Sequence, residues 1–464
     1  MIDLRNIEGI YFVGIGGIGM SALALYFEQG GFLIAGYDRS ETGISRMLTD
    51  NGCIISYEDS VEKIPLLFRN VPEKEKVIIV FTPAIPSDNK VISFFRKNRY
   101  RMYKRSEILG EISSRTNTLA VAGTHGKTSV STMTAHLLKQ SHVDCSAFLG
   151  GISKNYNTNL LVGESEYTVM EADEFDRSFL RLDPLMAVVT SVDADHLDIY
   201  GDQETMIKAY NEFCGKIRNG GKLFINHKIM DRIKIPKGVS GYTYGSDRGS
   251  DFGAFDIKHL KDYYSFNLRT PDGVIRDLHF PFPGIINIEN LTAAIAIALN
   301  CGVTEQEIRK AIILFQGVRR RFDIRIDLPG LTYIDDYAHH PEEIKACIAS
   351  VREYFSGRKI TGIFQPHLYS RTRDHAAGFA EILDELDEAF LLPVYPAREK
   401  PIPGVNSGMI FNHMKSARKR MVKMDDIPDC LDVSSLDVLL TIGAGDIDKL
   451  VIPIEEKLKT ITGL

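Results

Sequence analysis

The sequence predicts an α/β protein built from several parallel-sheet domains. Strand-like apolar runs alternate with helical patterns along most of the chain, an order typical of parallel sheets covered by helices. Two glycine-rich loops each lie between such a strand and a helix, where open α/β sheets bind phosphorylated ligands. A length of 464 residues exceeds one ordinary domain, and a hydrophobic fraction of 44% is enough to form a core in each.

The predicted strands are short apolar runs that fall into three groups along the chain. The first group is Ile10–Val13, Phe32–Tyr37 and Val77–Phe81, the second Leu119–Ala122, Val169–Ala172 and Met186–Val192, and the third Leu331–Ile334, Lys359–Phe364, Glu388–Leu392 and Val438–Ile442. The alternating stretch 252–279, with its turn at 270–273, predicts an antiparallel hairpin in the second group. These groups predict domains at residues 1–113, 114–318 and 319–464.

Composition narrows the possible functions. The formal net charge of -6 disfavours nucleic acid as the main partner, because phosphate backbones select basic surfaces. No uninterrupted apolar run is long enough to span a bilayer, and glycines break the N-terminal apolar segment 10–27, unlike a signal peptide. We therefore expect a cytoplasmic protein with no membrane partner. The sequence does not predict the oligomeric state.

The cysteines are expected to be reduced thiols. They form no CxxC pair and have no zinc-type spacing, as is usual in a cytosolic protein. The six are Cys53, Cys145, Cys214, Cys301, Cys347 and Cys430.

The first glycine-rich loop, GIGGIG at 14–19, follows a predicted strand and precedes a helix predicted at Met20–Gln29. Glycines let the backbone approach a pyrophosphate, and the helix N-terminus adds partial positive charge. Asp38 ends the next strand, where a carboxylate can accept hydrogen bonds from ribose hydroxyls. The motif predicts a phosphorylated ligand without identifying it. A nicotinamide-dependent oxidoreductase and a tight turn without ligand both remain open on this motif alone.

The second glycine-rich loop, GTHGKT at 123–128, lies between a predicted strand and a helix that runs through Leu138. Its backbone N–H groups can wrap the β- and γ-phosphates of ATP, while Lys127 adds a point charge and the Thr128 hydroxyl can ligate Mg²⁺. The strict pattern has glycine where Val121 stands, so this is a variant phosphate-binding loop. Two such loops favour two nucleotide-like ligands, and a simple oxidoreductase needs only one.

Two acidic segments, EADE at 171–174 and DADH at 193–196, follow two strands of the second group. Because ligands gather at the carboxyl ends of parallel strands, both should lie near the second loop. Glu171 can supply an oxygen ligand to Mg²⁺. A lone histidine such as His196 is more often a structural hydrogen-bonding residue. The simpler interpretation of Asp173, Glu174 and Asp193 is that they are solvated or capping carboxylates.

Together with DHLD at 195–198, RRRFD at 319–323, DDYAHHP at 335–341 and QPHLYSRTR at 365–373, these motifs resemble the Mur ligases, which build peptidoglycan precursors. The match follows the family's order along nearly the whole chain. The resemblance implies a Rossmann-like N-terminal domain that binds a UDP-sugar, a P-loop ATPase-like central domain, and a Rossmann-like C-terminal domain that closes with the amino acid. It implies that ATP and Mg²⁺ serve to join L-alanine to the lactyl carboxylate of UDP-N-acetylmuramic acid through an acyl phosphate.

The resemblance also implies a role for individual residues. The UDP-sugar would contact Gly16, Gly17, Ile18, Gly19, Met20, Ser21, Asp38, Thr82, Pro83 and Ala84. ATP would contact Gly123, Thr124, His125, Gly126, Lys127, Thr128, Asn287, Asn290, Arg321 and Asp336. Mg²⁺ would be held by Thr128, Glu171 and His196, and the catalytic set would be His125, Lys127, His339, His367 and Arg371. His339 is the candidate general base, whereas His340 could equally begin a helix.

The chain departs from the family pattern in three places. Ile285 and Ile286 replace an Arg-His pair before Asn287, so adenine contacts could differ. Leu368 stands where relatives often carry arginine, which leaves Arg371 as the expected anchor for the alanine carboxylate. Asn211 occupies the position of the carbamylated lysine of sister ligases, so no such modification is expected; Lys208 and Lys216 should be solvated.

Two further functions remain alternatives. A recycling ligase that attaches an intact peptide to the same sugar would share the ATP machinery and differ in the third domain. A non-catalytic nucleotide-binding module would not need acid, histidine and arginine residues spread over three domains.

Overall fold

The structure is a computed structural model that describes residues 6–86, 88–194, 197–261, 263–397 and 399–462. The chain folds into two compact units. Unit 1 comprises Met1–Lys258, Tyr264–Pro281 and Ile288–Gln316, and unit 2 comprises His259–Tyr263, Phe282–Asn287 and Gly317–Leu464. The predicted metal ligand His196 lies outside the described residues.

The first sheet of unit 1 is parallel throughout, in the order β3-β2-β1-β4-β5. Its strands are β1 Gly9–Val13, β2 Leu33–Tyr37, β3 Ile54–Ser56, β4 Val77–Phe81 and β5 Arg101–Lys104. Its helices are α1 Ile18–Gln29, α2 Gly43–Asp50, α3 Leu66–Arg69, α4 Lys90–Lys97 and α5 Arg105–Ser114. Alternate residues of β1 serve two cores, because Ile10 and Phe12 pack with α1 whereas Tyr11 packs on Phe68 and Phe95.

The second sheet has the order β15-β14-β13-β12-β11-β10-β6-β9-β7-β8. Its strands are β6 Asn117–Ala122, β7 Ser146–Ser153, β8 Thr158–Leu161, β9 Tyr167–Glu171, β10 Met186–Val189, β11 Lys222–Asn226, β12 Ser240–Gly245, β13 Phe252–Leu260, β14 Tyr263–Thr270 and β15 Gly273–Phe280. The helices that follow these strands are α6 Lys127–Lys139, α7 Leu197–Tyr200, α8 Gln203–Cys214, α9 Ile285–Asn300 and α10 Glu305–Leu314. Strands β14 and β15 form the predicted antiparallel hairpin.

The third sheet, in unit 2, has the order β16-β17-β21-β18-β19-β20 and is parallel except for the β16–β17 pair. Its strands are β16 Asp323–Leu328, β17 Leu331–Asp336, β18 Ile360–Phe364, β19 Glu388–Leu391, β20 Lys419–Met421 and β21 Val438–Ile442. Its helices are α11 Pro341–Tyr354, α12 Tyr369–Leu383, α13 Gly408–His413, α14 Ile427–Cys430 and α15 Val451–Thr462.

Short 3₁₀ segments complete the secondary structure. They are Val61–Lys63, Lys74–Lys76, Phe175–Arg181, His227–Ile229, Met424–Asp426, Val433–Ser435 and Asp446–Leu450. The cysteines named above are all free thiols, as predicted. Across the described ranges, no helix is both long and apolar enough to cross a membrane.

The α/β class and the predicted strands are confirmed, with one instructive difference. The strand predicted at Met186–Val192 ends at Val189. The Thr190 N–H still donates to the Ala122 carbonyl at the end of β6, but the Ser191 carbonyl accepts from the Thr124 N–H at 3.1 Å, so backbone pairing passes from the strand to the second glycine-rich loop. The prediction of solvated lysines also holds, since Lys208 and Lys216 are exposed.

Candidate functional site

The first glycine-rich loop is held by the end of strand β2. Gly14 has a φ of +89°, and its N–H donates to the Tyr37 carbonyl at 2.7 Å. The Gly16 N–H donates to Asp38 Oδ2 at 2.7 Å, and Asp38 Oδ1 accepts from the Arg39 N–H. Asp38, predicted to accept from a ribose, therefore fixes the shape of the loop in this structure.

A pocket of ≈ 250 Å³ opens beside this loop. It is lined by predicted UDP-sugar residues from two separate segments, namely Gly17, Ile18, Gly19, Met20, Thr82, Pro83 and Ala84. Ser21 lies next to these residues in sequence but is fully buried, and Asn159 Nδ2 donates to its hydroxyl at 3.0 Å. Ser21 thus serves the packing of α1 in this structure.

The same pocket reaches the acidic segment that follows β9. Glu171 and Asp173 line it together with residues of the first loop. The first loop, after β1 of the first sheet, and the carboxylates after β9 of the second sheet therefore line one cavity within unit 1, each at the carboxyl end of its strand.

Arg105 is a pocket residue that the motifs did not reveal. It is the first residue of α5, and its Nη1 lies so close to the first loop that a Cβ on Gly19 would be only 2.8 Å away. Its Nη2 donates to Asp173 Oδ2 at 3.1 Å. Nothing in the spacing links Arg105 to residues 86 positions earlier, so only the tertiary structure places it here.

The second glycine-rich loop is braced by the end of strand β10. Gly123 has a φ of +135°, and a Cβ there would lie 1.9 Å from Thr190 Oγ1. The Ser191 hydroxyl lies 2.8 Å from Thr124 Oγ1 and accepts from the His125 N–H at 2.8 Å. These bonds fix the shape of the loop. They were not predicted, because Thr190 and Ser191 fell within the strand predicted at Met186–Val192.

Lys127 begins helix α6 and forms an ion pair with Glu174. Its Nζ lies 2.8 Å from Glu174 Oε2, and the Glu174 side chain is only 1% exposed. The prediction that Glu174 is solvated or capping is therefore wrong, because the carboxylate is buried against the cation of the loop. Burial raises the pKa of Glu174 to about 7, and Lys127 opposes this rise. Burial lowers the pKa of Lys127, but Glu174 and neighbouring carboxylates more than offset it and hold the pKa above its ordinary value.

Asp173 divides its carboxylate between two partners. Oδ1 accepts from the Phe175 N–H at 3.0 Å, a capping role as predicted, while Oδ2 pairs with Arg105. Asp193 Oδ2 lies 3.6 Å from Nε2 of His125 on the second loop.

Glu171, the predicted metal ligand, lines the pocket beside Gly150. Its Oε2 is buried and has no hydrogen-bond partner among the residues described, which is costly for a carboxylate oxygen unless a ligand satisfies it. Gly150 leaves the space, since a Cβ there would lie 2.1 Å from this oxygen. Thr128 is buried at the second position of α6. In the described part of the chain, no group of three or more His, Cys, Asp and Glu side chains has a metal-binding arrangement.

The two predicted adenine-contacting residues lie near the start of α9 and differ in environment. Asn290 Oδ1 lies against the second loop, 2.9 Å from where a Cβ on Gly126 would stand. Asn287 belongs to unit 2, and its Nδ2 donates to the Pro283 carbonyl at 2.6 Å. Ile285 and Ile286, which depart from the family pattern, are each 42% exposed.

Unit 2 brings three predicted catalytic residues together. The rings of His339 and His367 lie 5.6 Å apart, and Arg371 Nη1 lies 3.4 Å from His367 Nδ1. His367 stacks on Tyr395. Leu368 precedes α12 with a φ of +72°, a conformation that costs a branched residue about 1–3 kcal/mol and is often retained at functional sites.

Arg321 and Asp336 lie on the strand and turn that precede this cluster. Arg321 lies over the Tyr337 ring at 5.0 Å. Asp336 accepts from the Phe322 and Ala338 N–H groups, each at 2.7 Å. Burial raises the pKa of Asp336 to about 6, against the lowering effect of Arg321.

His340 and Asn211 both have structural roles. Asn211 is the residue at the position of the modified lysine in sister ligases. His340 immediately precedes α11 as its N-cap residue, as one of the two interpretations of this residue expected. The Asn211 side chain is engaged by backbone, since its Nδ2 donates to the carbonyls of Ile207 and Arg232 and its Oδ1 accepts from the Lys234 N–H.

Comparison with known proteins gives matches along the chain. Residues 9–117 match the model described as Mur ligase family, catalytic domain; residues 121–298 match Mur ligase middle domain; and residues 320–445 match Mur ligase, glutamate ligase domain. The chain is 46% identical to a UDP-N-acetylmuramate–L-alanine ligase of Phocaeicola vulgatus over 452 residues, covering 97% of this chain and 98% of that protein.

Two solved structures are similar in fold. The crystal structure of a UDP-N-acetylmuramate–alanine ligase from Thermotoga maritima has a TM-score of 0.82 at 26% identity, covering 98% of this chain and 99% of that one. A murein peptide ligase from Psychrobacter arcticus has a TM-score of 0.73 at 21% identity, covering 97% and 98%. The second comparison shows the fold alone.

Proposed function

Because this chain belongs to the Mur ligase family, we propose that it is the member that joins L-alanine to UDP-N-acetylmuramic acid. The family is ATP-dependent. The observation that carries the proposal is a pocket lined both by Gly17–Met20 and by Glu171 and Asp173. A UDP-sugar bound at the first loop can thus present its carboxylate to the acidic edge beside the second loop.

The first chemical step converts a carboxylate into a good electrophile. An oxygen of the lactyl carboxylate attacks the γ-phosphorus of ATP, the bond to the β,γ-bridging oxygen breaks, and ADP leaves. Lys127 supplies positive charge to the phosphates, for which it must exchange its bond to Glu174. We assign Mg²⁺ to Thr128, Glu171 and His196, where it would supply further neutralisation of phosphate charge.

The second step forms the amide. The free amino group of L-alanine attacks the acyl carbon, the carbon–oxygen bond to phosphate breaks, and inorganic phosphate leaves. His339 is the proposed base for the amine proton. Its Nδ1 faces the Tyr337 carbonyl at 3.0 Å, and a carbonyl only accepts, so Nδ1 carries the proton and Nε2 is the nitrogen able to accept one.

Arg371 is the proposed anchor for the alanine carboxylate. Its planar fork can hold a carboxylate bidentately, and it lies beside His367, next to the proposed base. We also propose that Arg321, Asp336, Asn287 and Asn290 contact ATP. The position of Asn290 beside Gly126 supports its part of that assignment.

The domain boundaries and the compartment complete the proposal. Helix α5 ends at Ser114 and β6 begins at Asn117, so the change from one sheet to the next lies within a few residues of the proposed boundary between 113 and 114. The start of β16 at Asp323, after α10, supports a boundary between 318 and 319. We propose that the protein works in the cytoplasm, where ATP and UDP-sugars are made.

An acceptor screen tests the proposed function. Phosphate release is measured with ATP and UDP-N-acetylmuramic acid plus L-alanine, glycine, L-serine or L-alanyl-γ-D-glutamyl-diaminopimelate. L-Alanine should be best, and glycine, which lacks one methyl group, should be poorer by about tenfold in kcat/KM. Arg371→Ala should raise the KM for alanine and leave the KM for ATP nearly unchanged. If the tripeptide is the best acceptor, the chain is a recycling ligase instead; nicotinamide turnover without phosphate release would indicate an oxidoreductase.

A further inference from the structure

We propose that Arg105 binds the diphosphate of the UDP-sugar. In the absence of this ligand, Asp173 forms an ion pair with the Arg105 guanidinium. The inference rests on the proposed function, because it names the group that neutralises the charge of that substrate. In this scheme Asp173 is an internal competitor of the ligand.

The position of Arg105 carries the first step of the argument. Its guanidinium lines the pocket beside Gly17, Ile18 and Gly19, whose backbone would contact the diphosphate. Its side chain is only 18% exposed, so its charge acts in a partly desolvated space. The first loop itself contains no lysine or arginine, whereas the second loop contains Lys127. Backbone N–H groups and the N-terminus of α1 supply only partial charges there, and Arg105 lies in position to add a full positive charge.

The contact with Asp173 carries the second step. Asp173 Oδ2 lies 3.1 Å from Arg105 Nη2, at the distance of a charge-assisted hydrogen bond. The Asp173 side chain is 38% exposed, so this bond can be exchanged for a phosphate oxygen at small cost. The other oxygen keeps its bond to the Phe175 N–H, so the backbone need not move when Arg105 changes partner.

The second loop shows the same arrangement one residue further along. Glu174 pairs with Lys127, the cation of that loop. Adjacent carboxylates of one segment thus hold the cations of two phosphate sites, Asp173 at the first and Glu174 at the second. Because each carboxylate competes for a different cation, removing one should affect one ligand and not the other.

Calorimetric titration without ATP, amino acid or metal tests the proposal. The probes are UDP-N-acetylmuramic acid, UDP and uridine, the last of which lacks phosphate. Arg105→Ala should weaken UDP and UDP-sugar binding by about 10- to 100-fold and leave uridine unchanged. Arg105→Lys should recover part of the loss. Asp173→Asn should increase the affinity for UDP and for UDP-N-acetylmuramic acid by about two- to fivefold, because it removes the negative charge that competes for Arg105. The asparagine side-chain oxygen can still accept the hydrogen bond from the Phe175 N–H.

Two controls keep these effects specific. Arg115 follows the last residue of the helix that Arg105 begins and forms an ion pair with Glu111 at 2.5 Å, and neither Arg115 nor Glu111 lines the pocket, so Arg115→Ala should change no affinity. Glu174→Gln should tighten binding of a non-hydrolysable ATP analogue and leave UDP binding unchanged. Thermal unfolding of each variant reports whether the fold survives, and the gain expected for Asp173→Asn cannot arise from misfolding.

The outcomes separate this inference from the proposed function. If Asp173→Asn weakens UDP binding as much as Arg105→Ala does, the pair is structural and the proposal is wrong. Equal affinity of wild type and Arg105→Ala for UDP would also overturn it, while alanine ligation by the wild type would still support the proposed function. Failure of the wild type to bind or ligate UDP-N-acetylmuramic acid would instead contradict the proposed function.

Discussion

The two glycine-rich loops look alike in sequence but are built differently. Both follow a buried parallel strand and precede a helix, at Ile18–Gln29 and Lys127–Lys139. The second loop carries its own cation in Lys127 and is braced by hydroxyl groups after β10. The first is shaped by a carboxylate, Asp38, and borrows its nearby cation, Arg105, from α5.

Under the proposed function, this difference bears on how each loop would bind its ligand. A lysine within the loop moves with the backbone that wraps a triphosphate, so one short motif forms a complete phosphate site. The first loop is incomplete until α5 and the segment after β9 pack beside it. Its specificity therefore depends on tertiary contacts, which suits a large substrate that extends along a pocket.

The largest effect should come from removing the cation of the second loop. Lys127→Ala should lower kcat for phosphate release by about 100- to 1000-fold, because the charge that neutralises the phosphates is lost. Titration with UDP-N-acetylmuramic acid should give the wild-type affinity, since the first loop keeps its own cation. Lys208→Ala, which removes an exposed lysine paired with Glu204, is the matched control and should retain full activity. Equal loss of sugar binding in Lys127→Ala would show that the two loops are not independent.

Some strands could be predicted from the sequence and others could not. Continuous apolar runs placed strands such as Val77–Phe81 and Val438–Ile442 with their observed bounds. Strands β3, β5, β7, β8, β11, β12, β16 and β20 were not predicted. In β7, for example, Gly150 and Gly151 interrupt any clear apolar alternation. Gly150 reflects the space needed by the Glu171 side chain, which is a tertiary requirement.

Some site residues, likewise, could be predicted from the sequence and others could not. Lys127 and Glu171 belong to short motifs with a chemical rationale, so the sequence singled them out. Arg105 and the buried state of Glu174 depend on which side chains lie opposite, and no local pattern reports that. A carboxylate after a strand is usually solvated, and only the burial of Lys127 beside it reverses that expectation.

Alanine substitutions of Gly123 and Gly17 test the difference between the two glycine-rich loops a second time. At Gly123 a Cβ would overlap Thr190 Oγ1 and the backbone is left-handed, so Gly123→Ala should cost about 3 kcal/mol or more of unfolding free energy. Gly17 has a φ of -66°, and its nearest neighbour would be 3.5 Å from a Cβ. Gly17→Ala should therefore change stability by less than about 0.5 kcal/mol and weaken only UDP-sugar binding. Denaturant unfolding and ligand titration of both variants measure this; similar destabilisation in the two would contradict it.

The Mg²⁺ concentration needed for activity should depend on residues around the second loop and not on residues of the first loop. Glu171→Ala removes a buried oxygen that lacks a partner among the described residues, so the Mg²⁺ concentration for half-maximal activity should rise by about 10- to 100-fold. His196→Ala should act in the same direction if that residue is also a ligand. UDP affinity measured without metal should not fall, because Glu171→Ala removes a negative charge from the pocket that the first loop lines. A wild-type Mg²⁺ midpoint in Glu171→Ala would remove this residue from the metal site.

The smallest effect, and the finest distinction, concerns Asp38. Both carboxylate oxygens accept backbone N–H groups, from Gly16 and Arg39, so Asp38→Asn leaves one of these donors with an amide nitrogen that cannot accept. The loss in the free energy of UDP binding should be about 1 kcal/mol, hence about fivefold in UDP affinity, with ATP affinity unchanged.

A contact between Asp38 and the ribose predicts a difference between UDP and its 2′-deoxy analogue. Wild type would then discriminate against 2′-deoxy-UDP, and Asp38→Asn would lose that discrimination. Because the structure shows Asp38 holding the loop, we expect the variant to weaken UDP and 2′-deoxy-UDP by the same factor. Unequal factors in the two titrations would establish Asp38 as a ribose-binding residue and would make the first loop more similar to a dinucleotide site than its backbone contacts indicate.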